Sequence, residues 1–336
     1  MRADPAAASP DGEAVPGQAD LPACVPLDRC YEVAALEADL RRLRGGSWRR
    51  NRSVGSDGVA ADEDELDWRI LPLRSPGGDP GRTDAGGPGL AGFASTPWLA
   101  EAPAFAEVLA GIPAPLHAVR LMALGPGAEV YEHRDGNLGI PWGTVRLHVP
   151  VWTSPEAVTA FEGREYRWEA GQLWYGDFDR PHYVANRGSR DRVHLVIDCL
   201  VSAPLLALFP PSFTGALAWS EVLLSRDPVP LNPFELPQYH CRFGVPAAFL
   251  DWSQDGCADT DAAASVSSDG GQLVLSVAGE PRFGLEHVGS GEFRPVGWSD
   301  ERTLRLPRGG DGEVTFTVRR GSSVTQWTRP ARPAGS

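Results

Sequence analysis

Apolar residues recur with more than one spacing along this 336-residue chain, and each spacing predicts a different kind of element. In 31–43, Val33, Leu36, Leu40 and Leu43 follow the three- and four-residue spacing of a helical stripe, which Gly45-Gly46 ends. Residues 98–110 carry a second such stripe through Phe105, Val108 and Leu109. Between the two, 50–66 and 75–92 are dominated by Gly, Asp, Ser, Pro and Arg and read as loops, with a strand expected at 68–73. From residue 116 the texture changes to short runs rich in β-branched and aromatic residues, at 116–124, 128–133, 143–153, 158–162, 165–168, 172–176, 182–185 and 193–201. Turn signals such as Gly125-Pro126-Gly127 and Asp179-Arg180-Pro181 separate them.

Eight short strands at this spacing predict a mainly β fold. The expected core is a double-stranded β-helix, a jelly roll of the cupin type, behind N-terminal helices. Beyond residue 202 the pattern changes. Helical turns are expected at 205–208 and 216–224, a proline-rich connector at 228–237 and a loop at 255–271. Alternating strands follow at 272–277, 282–287, 302–306 and 313–319, which predicts a small β-rich C-terminal domain. The expected organisation is a flexible arm over 1–26, a main domain over 27–224 and the C-terminal domain over 225–336.

With 42% hydrophobic residues the chain has enough apolar surface for a full core. A net charge of −13 and a pI near 5.0 argue against a broad footprint for nucleic acid or for an anionic membrane. The five cysteines form no C-x-x-C and no regular framework, as expected of reduced thiols. The first twenty residues lack the apolar stretch of a signal peptide, and no run reaches the length of a membrane span. A cytoplasmic location is expected.

Candidate chemistry concentrates in the strand-rich half. In an extended strand, residues two apart point the same way, so His133 and Asp135 can reach one ion while Arg134 points away. A third ligand must come from another strand, and His182 stands at the start of one, just after a polar turn. Two imidazoles and a carboxylate on one face of an octahedral metal leave three positions open, the ligand set of a non-heme Fe(II) oxygenase.

Four ordered runs carry a wider resemblance. They are Tyr131-Glu132-His133-Arg134-Asp135-Gly136, Val145-Arg146-Leu147-His148-Val149-Pro150, Glu169-Ala170-Gly171-Gln172-Leu173-Trp174, and Arg180-Pro181-His182 through to Arg192-Val193-His194-Leu195. Together, over about residues 28–202, they resemble the aspartyl/asparaginyl β-hydroxylase family, Fe(II)- and 2-oxoglutarate-dependent oxygenases on a double-stranded β-helix whose members include free-proline hydroxylases. The resemblance implies that His133, Asp135 and His182 bind Fe(II). It implies that Arg192 pairs with the far carboxylate of 2-oxoglutarate, and that Arg146 and His148 contact the cosubstrate from a neighbouring strand. O2 would be the second cosubstrate, with succinate and CO2 as products.

The residue types agree, because a planar guanidinium grips a carboxylate with two hydrogen bonds. Plainer readings stand beside them: Arg146 as a solvent-facing strand residue, and His148 and His194 as hydrogen-bonded core histidines. Trp142, Trp152, Trp174 and Tyr175 are read chiefly as packing residues. Asp177 and Asp179 either orient His182 or serve the turn, and His117, His240 and His287 lack ligand-like spacing. The expected substrate is an amino-acid side chain, Asp or Asn at the β-carbon or Pro, free or within a peptide, and the polar stretches at 50–66 and 75–92 are either a cover over it or insertions. Two other classes remain open: a cupin-fold metal enzyme that does not use 2-oxoglutarate, and a non-enzymatic cupin binding protein.

Overall fold

The computed structural model describes residues 21–51, 66–252 and 260–334. The N-terminal part contains strands β1 (Cys24–Cys30), β2 (Arg49–Arg50), β3 (Trp68–Pro76), β4 (Phe93–Ser95), β5 (Leu116–Leu124), β6 (Glu129–His133), β7 (Thr144–Trp152), β8 (Ala157–Phe161), β9 (Arg164–Tyr166), β10 (Gln172–Gly176), β11 (His182–Asn186) and β12 (Arg192–Leu200). Its helices are α1 (Val33–Arg42), α2 (Pro97–Ala100) and α3 (Pro103–Ala110). The strands form two sheets. The larger runs in the order β1-β10-β7-β12-β5-β3-β2 with β4 beside β3, and the smaller in the order β6-β11-β8-β9. This is the expected double-stranded β-helix, with α1 and α3 packed on its outer side.

Strand parity sorts the two faces of the large sheet. Val119 and Leu121 of β5, Leu147 and Val149 of β7, and Leu195 and Ile197 of β12 form one core with Leu36 and Leu40 of α1 and Phe105 of α3. Each such side chain contributes about 1.5–3 kcal/mol when fully buried. That outer face therefore holds the sheet in place and leaves the inner face free to be polar. The inner parity, Arg120, Arg146, His148, Arg192, His194 and Asp198, is buried toward the small sheet.

The C-terminal part is a closed eight-stranded barrel of β13 (Cys241–Pro246), β14 (Asp261–Asp269), β15 (Gln272–Val277), β16 (Glu280–His287), β17 (Glu292–Pro295), β18 (Arg302–Arg305), β19 (Gly312–Arg320) and β20 (Ser323–Pro333). Consecutive strands pair antiparallel, and β13 closes on β20. It has its own apolar core, built from residues such as Val266, Leu275, Phe293 and Phe316.

Several sequence expectations are corrected. Residues 1–20 of the expected arm lie outside the described residues, but 21–26 are not an arm: β1 pairs with β10 at the sheet edge and buries Leu21, Val25 and Leu27. The helix expected over 98–110 is two, because Pro103, without an N–H to give, starts a new one. Of 216–224, only Ala216, the last residue of a helix over Pro211–Ala216, and a single 3-10 turn at Trp219–Glu221 are helical. Leu223 and Ser225 give their N–H groups to the carbonyls of Ile140 and Val201, an inter-element tie that replaces helix bonds. Within the loop expected at 255–271, Asp261–Asp269 is a strand. Its Ala, Ser and Asp residues have little β propensity of their own, but both backbone edges are paired in the closed barrel. Of the stretch at 50–66, residues 52–65 lie outside the described residues. Among the described residues no helix is long and apolar enough to cross a membrane.

Candidate metal centre

His133 ends β6 and His182 opens β11, and the register of the small sheet sets the two residues directly opposite each other. Their rings are 4.3 Å apart, and Asp135 follows on the turn after β6, with its N–H held by the Phe178 carbonyl at 2.9 Å. One ligand atom from each of His133, Asp135 and His182 lies within 4.8 Å of the others. Each imidazole gives Nδ1 to the carbonyl two residues earlier, Tyr131 O at 2.8 Å and Arg180 O at 2.9 Å. A carbonyl only accepts, so the proton sits on Nδ1 and the Nε2 lone pair is left for a metal. These backbone carbonyls orient the rings. Asp177 pairs instead with Arg180 at 2.9 Å, and Asp179 with the Trp142 indole N–H at 3.3 Å, so neither is the partner of His182.

Electrostatics prepare Asp135 and His182 for a metal and leave His133 with a proton to lose. Burial opposes the Asp135 carboxylate, but Arg146 outweighs it and holds the group well below the usual carboxylate range. Burial pushes the His182 imidazole down to about 4, so it is neutral at physiological pH. Burial also works against the His133 imidazolium, yet the hydrogen bond to Asp135 prevails and its pKa lies above the ordinary histidine value.

Arg146 is neither solvent-facing nor free. It donates to Asp135 through Nη1 and to Asp198 through Nε at 2.6 Å and Nη2 at 3.1 Å. Asp198 also takes Arg120 Nη2 at 2.8 Å. Arg192 differs from both: it is 7% exposed, and the only side-chain acceptor that holds it among the described residues is Thr159 Oγ1 at 3.0 Å. With no carboxylate beside it, burial pushes its pKa down to about 9, which still leaves a cation at neutral pH. A buried guanidinium without a counter-ion is costly, and an incoming carboxylate would relieve that cost. His148 and His194 touch through their Nδ1 atoms at 3.3 Å, and the Nε2 of each is buried without a partner. Neither is the satisfied core histidine that the plain reading predicts.

All six residues singled out from sequence, His133, Asp135, Arg146, His148, His182 and Arg192, line one cleft of about 890 Å³. Trp142, Trp152, Trp174 and Tyr175 do not line it and act in packing. Sequence reasoning missed Thr159, Asp198, Arg120 and His117. The signal for Asp198 was present as polar residues at every second or fourth position of an otherwise apolar run, Arg192, His194 and Asp198. His117 was hidden, because the register between β5 and β12 slips by one residue beyond Val119 and turns it to the inner face.

Residues 32–201, half of the chain, match the Aspartyl/Asparaginyl beta-hydroxylase family. No curated protein matches the chain. Among solved structures, a prolyl-4-hydroxylase from Pseudomonas putida aligns at 16% identity over 55% of this chain and 94% of its own, with a TM-score of 0.33. An oxidoreductase of the 2OG-Fe(II) oxygenase family from Burkholderia pseudomallei aligns at 12% identity over 50% and 77%, with a TM-score of 0.33. A cupin 2 conserved barrel domain protein from Salinispora arenicola aligns at 15% identity over 32% and 76%, with a TM-score of 0.21. These likenesses are distant, whereas the family match takes in the whole metal cluster together with Arg146, His148 and Arg192. The chain belongs to the aspartyl/asparaginyl β-hydroxylase family.

Proposed function

We propose that His133, Asp135 and His182 hold Fe(II), that Arg192 with Thr159 and His148 receives 2-oxoglutarate, and that the enzyme hydroxylates an amino-acid side chain, Asp or Asn at the β-carbon or Pro, free or within a peptide. The donor set fits the metal: two imidazole nitrogens with fixed tautomers and one carboxylate, gathered within 4.8 Å. Arg192 carries the cosubstrate reading. It is a buried cation lining the same cleft as the metal cluster, and its only side-chain partner among the described residues is a hydroxyl.

Iron(II) held there would supply, with 2-oxoglutarate and O2, an oxidant for an unactivated C–H bond, giving succinate and CO2 beside the hydroxylated product. The chain's own residues do the positioning. Arg192 and Thr159 grip the far carboxylate, and His148 Nε2, buried and unpartnered, donates to the cosubstrate. Arg146 keeps Asp135 ionised and takes its Oδ2, so that Oδ1, beside His133, is the oxygen that would be offered to a metal. Phe178 and Trp168, packed on His148, exclude water from that side. The acidic surface fits neither a nucleic-acid nor a membrane partner, and the four described cysteines, all unpaired, agree with a cytoplasmic location.

The test is an anaerobic titration with Fe(II) and then 2-oxoglutarate, following the visible absorption of the metal chelate. A band that forms in the wild type and weakens in Arg192→Ala supports the reading. Iron binding without a band would move the enzyme to chemistry that does not use 2-oxoglutarate.

A further inference from the structure

The family match ends at residue 201, yet the cleft does not. Its wall away from the metal includes Gly86 and Phe93, His117 of β5, and Gly297 and Trp298 of the C-terminal barrel. Phe93 stacks on His117 with centroids 4.7 Å apart and planes 15° off parallel. Trp298 stands edge-on to Trp252 at 4.8 Å and gives its indole N–H to Glu301 at 2.6 Å.

This wall is built in place. A Cβ on Gly297, whose φ is +80°, would come within 2.7 Å of the Gly87 carbonyl oxygen, so only glycine lets the barrel turn approach that loop. The loop is pinned to the barrel by Gly89 N–H to Val296 O at 3.0 Å and by Gly284 N–H to Gly89 O at 2.9 Å. On the metal side, Asn137, two residues past Asp135, donates to the Trp252 carbonyl at 2.9 Å. Ser299 donates to the Trp142 carbonyl at 2.6 Å, and Arg320 pairs with Asp179 at 3.5 Å. The barrel is thereby fastened to both turns that present the metal ligands.

On the cleft floor Arg146 is shared between Asp135 and Asp198, and Arg120 leans on Asp198 alone; Asp84 is taken by Arg82, and the other lining carboxylates, Glu129 and Glu132, are exposed. Arg120 is the guanidinium with donors to spare. It is 4% exposed, Asp198 takes only Nη2, and Nε is buried without a partner.

Building on the function proposed above, we infer that the C-terminal barrel completes the substrate chamber. Trp298, Phe93 and His117 form its apolar wall, and Arg120 anchors a substrate carboxylate. The ligand class is a compact carboxylic acid with an apolar or ring-shaped body. A cleft of about 890 Å³ lies within the roughly 300–1,000 Å³ of small-molecule sites, and it must also hold the cosubstrate.

The test uses the full chain. The probes are the free L-amino acids, benzoate and cyclohexanecarboxylate, each beside its primary amide, added anaerobically to the Fe(II)–2-oxoglutarate form. At least one acid is expected to shift the chelate band, with its amide at least tenfold weaker. Arg120→Gln should remove that preference, and Trp298→Ala and Phe93→Ala should weaken binding at least fivefold while the chelate still forms. If Arg120→Gln fails to fold, the two aromatic variants, which lie outside the ion network, carry the test. Equal binding of acid and amide, wild-type affinity in both aromatic variants, or a chelate that responds to none of the acids would overturn the inference. The same panel is also read as a rise in thermal midpoint of the metal-free protein. If no chelate forms but acids still stabilise the wild type and not Trp298→Ala, the cosubstrate reading falls and the chamber stands.

Discussion

Asp198 and Arg146 face each other across the β7–β12 register, with Nε 2.6 Å from Oδ1, and through this pair the metal cluster is tied to the middle of the large sheet. Arg146 continues to Asp135, and Arg120 approaches Asp198 from the opposite strand. Two cations and two carboxylates, Arg120 and Asp198 buried and Arg146 and Asp135 partly so, form one chain of ion pairs.

Removing one member leaves buried charge uncompensated. Asp198→Ala should therefore lower unfolding stability by roughly 3–5 kcal/mol in denaturant titrations. Glu37→Ala, which breaks the exposed pair with Arg41, should cost less than about 1 kcal/mol. Equal, small effects of the two substitutions would show that Asp198 stabilises nothing.

Arg192→Ala should raise the dissociation constant for 2-oxoglutarate at least tenfold in the chelate titration. Arg192→Lys should recover part of the affinity, since an ammonium keeps the charge but not the fork. Thr159→Val should have a smaller effect, because it removes one hydroxyl at 3.0 Å from the guanidinium and leaves the cation in place.

Metal binding should stabilise the fold by mass action. A chelator is therefore expected to lower the thermal midpoint of the iron-loaded wild type and to leave His182→Ala unchanged. Metal analysis of that variant should show loss of the bound ion with its secondary structure retained. Full iron occupancy in His182→Ala would refute the ligand set.

In the barrel, Glu292 accepts both terminal nitrogens of Arg226, at 2.8 and 3.0 Å, and also Thr303 and Arg319. Burial opposes its ionisation, but the Arg226 and Thr303 hydrogen bonds prevail and bring its pKa down to about 2, against 4.5 for an ordinary Glu. A depressed carboxylate pKa stabilises the fold at pH above the unfolded value and loses that effect as pH falls through the folded one. Glu292→Gln should thus be less stable than wild type by roughly 1–3 kcal/mol at neutral pH. The gap should narrow between pH 4.5 and about 2 in parallel unfolding curves.

The sequence by itself determined the period-two runs from 116 to 201, the helical stripes of α1 and α3, and the residue types of the metal cluster. Those features are local: the two-residue spacing keeps His133 and Asp135 within reach of one ion, and apolar alternation marks which face must be buried. Only the tertiary structure decided that His182 lies directly opposite His133 and that Arg146 serves Asp135 and Asp198. It also decided that Arg192 has a hydroxyl as its one side-chain partner among the described residues. Register between distant strands sets those pairings, and a single run carries no record of its partner. The same holds for β1, β13, β14, β17 and β20, whose residues become strands because neighbouring edges pair them, and for Trp298, which reaches the cleft only because glycine at 297 lets the barrel turn pack against the Gly87 carbonyl.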